Sequence, residues 1–160
     1  MSEEDTLYQA AVLPGSGPVA RLIVLERSGA WAVALRRELP LAAIRLEQTR
    51  SLSDGWAALH QAPASFLVLE LTAANWAMVL ERLLWLPRDF PLARVALVAD
   101  RRLAEALWGL RPPSVVDLIT SPRRISGLAR AVRRHMAGLH SRPMSTVERI
   151  WSELPWNPDR

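Results

Sequence analysis

Phe66-Leu67-Val68-Leu69-Glu70-Leu71 decides the fold: an unbroken apolar run whose one charge falls near its end. A short run of this kind reads as a strand covered on both faces, the environment found inside a parallel sheet. In such sheets ligand chemistry gathers at the carboxyl ends of the strands, where Glu70 falls. A second run, Leu22-Ile23-Val24-Leu25, also ends in an acid, Glu26. Two strands therefore deliver carboxylates to one edge of a sheet.

On either side of these runs the pattern alternates strand and helix. Strands are expected over residues 21–26, 42–48, 65–71, 94–99 and 114–120. Helices are expected over 28–39, 53–60, 75–86, 101–110 and 123–139. Ser28 offers an N-cap for the first helix, whose apolar stripe is Ala32, Leu35 and Leu39. In the second strand Ile44 and Leu46 alternate with Arg45 and Glu47, the period of an edge strand with one wet face. Pro87 is expected to close the third helix, and Pro112-Pro113 the fourth. Ile125, Leu128, Val132, Met136 and Leu139 share one face of the last body helix. Strands spaced by helices imply right-handed crossovers, hence a five-stranded parallel sheet, order 2-1-3-4-5, with helices on both faces.

The ends are separate. Residues 1–20, with Pro14-Gly15-Ser16-Gly17-Pro18, read as a flexible lead-in to a domain at 21–139. Residues 140–160 form a tail in which Ser145-Thr146-Val147-Glu148 is a capping-box sequence. It predicts a short helix over 146–154 with Val147, Ile150, Trp151 and Leu154 on one face and Trp156 just beyond. A helix this short is marginal alone, so its face must dock, either on its own domain or on a partner.

Composition removes whole classes of chemistry. With 160 residues, 50% of them hydrophobic, the chain has the length and apolar content for one domain with a core. It has no cysteine, which excludes disulfides, thiolate metal sites and cysteine nucleophiles. All 20 basic residues are arginine, so Schiff-base and Walker-type lysine sites are impossible. His60, His135 and His140 have no metal-like spacing, and no G-x-S-x-G or G-x-G-x-x-G motif occurs. No metal or cofactor is expected. No apolar stretch approaches the roughly 20 residues that span a bilayer, and the acidic start Met1-Ser-Glu-Glu-Asp5 is unlike a signal peptide. A cytoplasmic protein without membrane association is expected.

Five β-α units with an alternating second strand, acids after strands one and three, and Ser121-Pro122 after strand five resemble the receiver domain of two-component signalling. The resemblance covers residues 21–139 and implies a flavodoxin-like sheet. In that family two acids after strand one hold magnesium, and an aspartate after strand three accepts a phosphoryl group. A hydroxyl after strand four and a lysine before the last proline contact the phosphate, and an aromatic residue in strand five completes the switch. Here the acidic pair becomes Glu26-Arg27, the acceptor position carries Glu70, and Ala99 replaces the hydroxyl. Ser121 replaces the lysine and Leu118 the aromatic. The resemblance therefore implies a degenerate phosphoacceptor pocket in a non-catalytic pseudo-receiver, with protein partners. It also implies a cis bond before Pro122. Arg27 is expected to lie between Glu26 and Glu70 as an internal cation. Glu70 as a fixed mimic of phosphoaspartate would have no relay to throw, given Ala99 and Leu118.

Charge is unevenly placed. Residues 1–100 hold 9 arginines and 11 acids, net −2, whereas 101–160 hold 11 and 5, net +6. Arg123, Arg124, Arg130, Arg133 and Arg134 occupy positions that the apolar stripe of the last body helix leaves free. That face suits a protein partner or, as the alternative, nucleic-acid phosphates. Five tryptophans, Trp31, Trp56, Trp76, Trp85 and Trp108, fall in body helices, where an exposed one would mark a partner surface.

Overall fold

The computed structural model describes residues 19–40 and 43–140. Its centre is the pairing of β1 (Leu22–Leu25) with β3 (Phe66–Glu70), in parallel, with Leu22 opposite Phe66 and Leu25 opposite Leu69. β2 (Leu46–Thr49) flanks β1, and β4 (Arg94–Val98) and β5 (Val115–Ile119) extend the other side. The sheet order is β2-β1-β3-β4-β5, parallel throughout, as expected. The β4–β5 register shifts between Val95 and Ala96.

The apolar run of β3 reads directly as two-sided burial. Leu67 and Leu69 point into a core with α2 (Leu52–Gln61), α3 (Trp76–Asp89) and α4 (Arg101–Leu107). Phe66 and Val68 point into a second core with α1 (Ala30–Glu38) and α5 (Ile125–His140). Each fully buried side chain of this size stabilises the fold by about 1.5–3 kcal/mol. Edge strand β2 is only partly covered, the wet face that its alternation predicts.

Four local expectations are corrected. α1 begins at Ala30, and its N-cap is Gly29 at φ 81°, not Ser28. That left-handed conformation is one that glycine adopts without Cβ strain. α2 begins at Leu52 because Ser51 caps it, its hydroxyl accepting the Asp54 N–H at 3.0 Å. α3 passes through Pro87 to Asp89. A proline in the last turns forfeits one intrahelical bond, and burial of Leu86 and Phe90 outweighs it. The Phe90 N–H still donates to the Leu86 carbonyl at 2.8 Å. No described peptide bond is cis, so Ser121–Pro122 is trans. Ser121 is extended, its Oγ accepts the Arg123 N–H at 3.3 Å, and Pro122 opens a 3-10 turn, Pro122–Arg124, leading into α5.

α5 runs antiparallel to the strands. Its C-terminal half lies at the amino edge of the sheet, where His135 Nε2 meets the Ala64 carbonyl at 2.7 Å and its ring stands edge-on to Phe66. Burial holds the His135 pKa below the ordinary 6.5; the Ala64 contact opposes this and the Arg94 charge adds to it. A lowered folded-state pKa means that the unfolded chain binds the proton more readily. The contribution is therefore fully present above pH 6.5 and is lost as the pH falls. Stability measured by urea unfolding should decline on acidification below this point in the native chain. The decline should be smaller in His135→Gln, and equal slopes would assign the effect elsewhere.

Candidate functional site

The strand-end acids are held by local backbone. Glu26, one residue beyond β1, is 2% exposed. Its Oε2 accepts the Trp31 N–H at 2.8 Å and its Oε1 the Ala32 N–H at 2.7 Å, with Gln48 Nε2 at 3.4 Å from Oε1. Helix amino ends leave N–H groups unpaired and carry partial positive charge, so a carboxylate here both caps α1 and meets its dipole. The turn through Gly29 brings the start of α1 back over the acid.

Glu70, at the end of β3, accepts the backbone N–H of Arg27 at 2.7 Å through Oε2. This ties the β1–α1 loop to the neighbouring strand end. Asn75 shapes the next loop, accepting the Thr72 N–H at 2.7 Å and donating Nδ2 to the Glu70 carbonyl at 3.0 Å. A cleft of about 270 Å³ remains between these loops, bordered by Arg27, Arg50, Glu70 and Thr72.

The expected ion pair at this edge is corrected. Among the described residues the ion pairs are Arg21–Glu47 and Arg101–Glu105, and the Arg27 guanidinium is in neither. Arg27 is exposed, and it serves Glu70 through its main chain. The reason lies in Glu26, whose two oxygens are already engaged by α1 and which sits too deep to meet an exposed side chain. Ala99 is buried with its N–H on the Ile119 carbonyl at 3.0 Å, and it presents only a methyl group. Ser121 caps the following turn. Leu118 is buried in the core beside α4. Among the described residues, no group of three or more His, Asp or Glu could hold a metal ion.

Glu26, Arg27 and Glu70 thus lie around the first and third strand ends, with the Arg27 main chain rather than its guanidinium as the link. Gly29, Gln48 and Asn75 were missed. Ser28-Gly29 is a turn-type dipeptide and Asn75 is a residue type suited to a helix start, whereas Gln48 carries no such signal.

A larger concavity lies elsewhere. An open trough of about 990 Å³ follows edge strand β5 between α4 and α5, bordered by Arg101, Glu105, Trp108, Asp117, Ser121 and Arg124. Trp108, Leu110 and Val116 are 55%, 63% and 45% exposed, and Arg111 stacks over the Trp108 ring at 4.4 Å. Arg123, Arg124, Arg130, Arg133 and Arg134 are all exposed, with Arg133 turned toward α1 to donate to the Glu38 carbonyl at 3.0 Å. Of the body tryptophans, Trp31 is buried, Trp56 and Trp76 pack partly on the core, and Trp85 and Trp108 are exposed. Ile150, Trp151, Leu154 and Trp156 lie outside the described residues.

The sequence matches no protein-family model and no curated protein. Solved structures do resemble the fold. A response regulator from Thermotoga maritima superposes with a TM-score of 0.57 at 16% identity, covering 74% of this chain and 98% of that one. A CheY-like protein, TadZ, from Pseudomonas aeruginosa gives 0.52 at 20% identity over 71% and 92%. A protein described as an adenylate cyclase from Rhodopirellula baltica gives 0.54 at 11% identity over 86% and 100%. The chain therefore has the receiver-like, flavodoxin-like fold. The same fold serves proteins described as regulators and as an enzyme, so function must be argued from this chain's own residues.

Proposed function

We propose that this chain is a non-catalytic, receiver-like signalling or adaptor module that binds a protein partner without phosphorylation of its strand-end acids. One observation carries the reading: both acids are engaged by backbone N–H groups, Glu26 by Trp31 and Ala32, Glu70 by Arg27. A phosphoryl acceptor needs a free carboxylate oxygen, which Glu26 lacks and Glu70 keeps only in Oε1, and magnesium needs several hard oxygens in one octahedron. Freeing Glu26 would strand two buried amides, each costing about 1–3 kcal/mol. Ala99 and Ser121 supply neither the usual hydroxyl nor a cation for a phosphate. No helix among the described residues is long and apolar enough to cross a membrane, which supports a cytoplasmic setting for such a module.

The surface we assign to the partner is the trough along β5. It joins exposed Trp108 to Arg101 and Arg124, with exposed Leu110 and Val116 next to its lining in sequence and Arg123, Arg130 and Arg134 exposed on the same closing segment, the aromatic-plus-arginine composition enriched in protein interfaces. Two assays test the proposal. Incubation with acetyl phosphate and magnesium should leave the intact mass unchanged, and a stoichiometric phosphoryl adduct on Glu26 or Glu70 would sink it. Association through the trough should be nearly insensitive to salt. Tight binding of labelled DNA or RNA that falls steeply with salt would instead favour a nucleic-acid-associated regulator using the arginine face.

A further inference from the structure

We propose that the trough along β5 is the seat of this chain's own C-terminal segment, which lies in it as a short helix and competes with the partner. The inference rests on the partner-binding reading only for its consequence, not for the docking itself.

The place where the chain leaves the body comes first. α5 ends at His140, at the amino edge of the sheet. That edge is also where β5 begins, whereas the trough is lined toward the carboxyl end of β5 and the start of α5, by Asp117 to Ser121, Arg124 and Gly127. A segment leaving at His140 reaches it by running back along α5. The side of α5 turned away from α1 carries Gly127, Ala131 and Gly138, and a Cβ added at Gly127 or Gly138 would meet nothing within 4 Å. A helix packs most closely where such small residues leave room.

Reach follows from chain dimensions. Gly127 to His140 spans about 20 Å of helix. Residues 141–145 can cover up to about 17 Å, and a helix over 146–154 adds about 13 Å. The segment can thus turn back at Arg142-Pro143 and lie along α5 as far as Gly127. Its apolar face, Val147, Ile150, Trp151 and Leu154, matches a trough with buried Leu118 and Ile119 at its floor. Glu148 and Glu153 flank that face, and the trough is bordered by Arg101 and Arg124 together with Glu105 and Asp117.

A strand is the wrong occupant. The Leu118 N–H is already taken by the Asp117 carboxylate at 2.8 Å, and the β4–β5 register is interrupted at Val95/Ala96. Both blunt the edge against strand addition and leave side-chain docking of a helix. A tether this short holds its segment at millimolar effective concentration, so even weak docking keeps the trough mostly covered.

The absence of cysteine makes the test clean. In the full chain, Gly127→Cys with Leu154→Cys should oxidise to an internally cross-linked monomer at least tenfold faster than Leu84→Cys with Leu154→Cys, whose first site is on α3 across the sheet. Equal rates, no cross-link, or a cross-linked dimer in place of the monomer would overturn the proposal, the dimer by making a second copy the occupant. Hydrogen exchange gives a readout that leaves the body unaltered. Amides of α4 and of residues 127–134 should exchange severalfold faster in Trp151→Ala/Leu154→Ala than in the native chain, and unchanged rates refute the docking. Neither measurement involves a partner, so each can fail while the partner-binding reading stands.

Discussion

Replacing Glu26 by alanine is expected to lower the unfolding free energy by about 2–4 kcal/mol, one of the larger single-site losses this domain can show. Glu26 is 2% exposed, and its carboxylate closes two amides at the start of α1, where the helix itself supplies no acceptor. Loss of an N-cap alone costs about 0.5–2 kcal/mol, and stranding buried N–H groups adds to it. The midpoint of thermal unfolding should fall by about 10 °C on this basis, at a few degrees per kcal/mol. Glu26→Gln should cost less, because its carbonyl can still accept one of the two bonds while its amide group opposes the other. Arg27→Ala should stay within about 0.5 kcal/mol of the native chain, since Glu70 holds the main-chain N–H, which alanine keeps. Urea unfolding of the three variants separates a capping acid from an ion-paired one. If Arg27→Ala is as damaging as Glu26→Ala, the guanidinium holds the acids after all and the backbone account is wrong.

That contrast marks where the sequence stops being legible. The fold could be read because its signal is repeated: each inner strand must bury both faces, so Leu22–Leu25, Phe66–Leu69 and Val95–Val98 are unbroken apolar runs. The spacing of the helical stripes then leaves one topology class. Boundaries were harder, for reasons local to each. Pro87 weakens a helix by one bond, yet Leu86 and Phe90 are pulled into the core and carry the last turn with them. Ser28 and Gly29 both suit a helix start, and only the left-handed backbone at Gly29 decides between them. The trans bond at Ser121–Pro122 was misjudged because the expectation came from a family resemblance, and no residue near that turn specified it.

At the site, residue identities and positions were legible but engagement was not. Acids after β1 and β3 could be placed at one sheet edge from pattern alone. Which group each acid would meet depends on distances of a few tenths of an ångström and on depth. Opposite charge at neighbouring positions suggested an Arg27 clamp, but a carboxylate buried at the amino end of a helix finds N–H donors closer and already desolvated. Backbone donors are present at every residue and so leave no trace in a sequence. The trough along β5 was half legible: Arg124 and Trp108 could be listed, whereas the room at Gly127 and the alignment with the start of α5 come from topology.

The second large effect is expected at that trough. Trp108→Ala, in the lining, combined with Leu110→Ser and Val116→Ser next to it in sequence should leave the unfolding free energy of the body within about 1 kcal/mol of native, because all three side chains are exposed. Recovery of the protein partner by cross-linking in the source cell should fall by about 30-fold or more, since a central aromatic in an interface is commonly worth 2 kcal/mol or above. Arg124→Glu, at the rim of the trough, should weaken the same cross-links only slightly, as association nearly insensitive to salt requires. Removing the anchors of the C-terminal segment, Trp151→Ala with Leu154→Ala, should act in the opposite direction if that segment occupies the trough. Partner recovery should then rise by the factor with which an intramolecular competitor had reduced it. A trough variant that loses binding while the segment variant gains it identifies one surface with two claimants. If both variants lose binding equally, the segment contacts the partner directly. If the trough variant keeps full binding, the partner docks elsewhere and the surface assigned here is not the functional one.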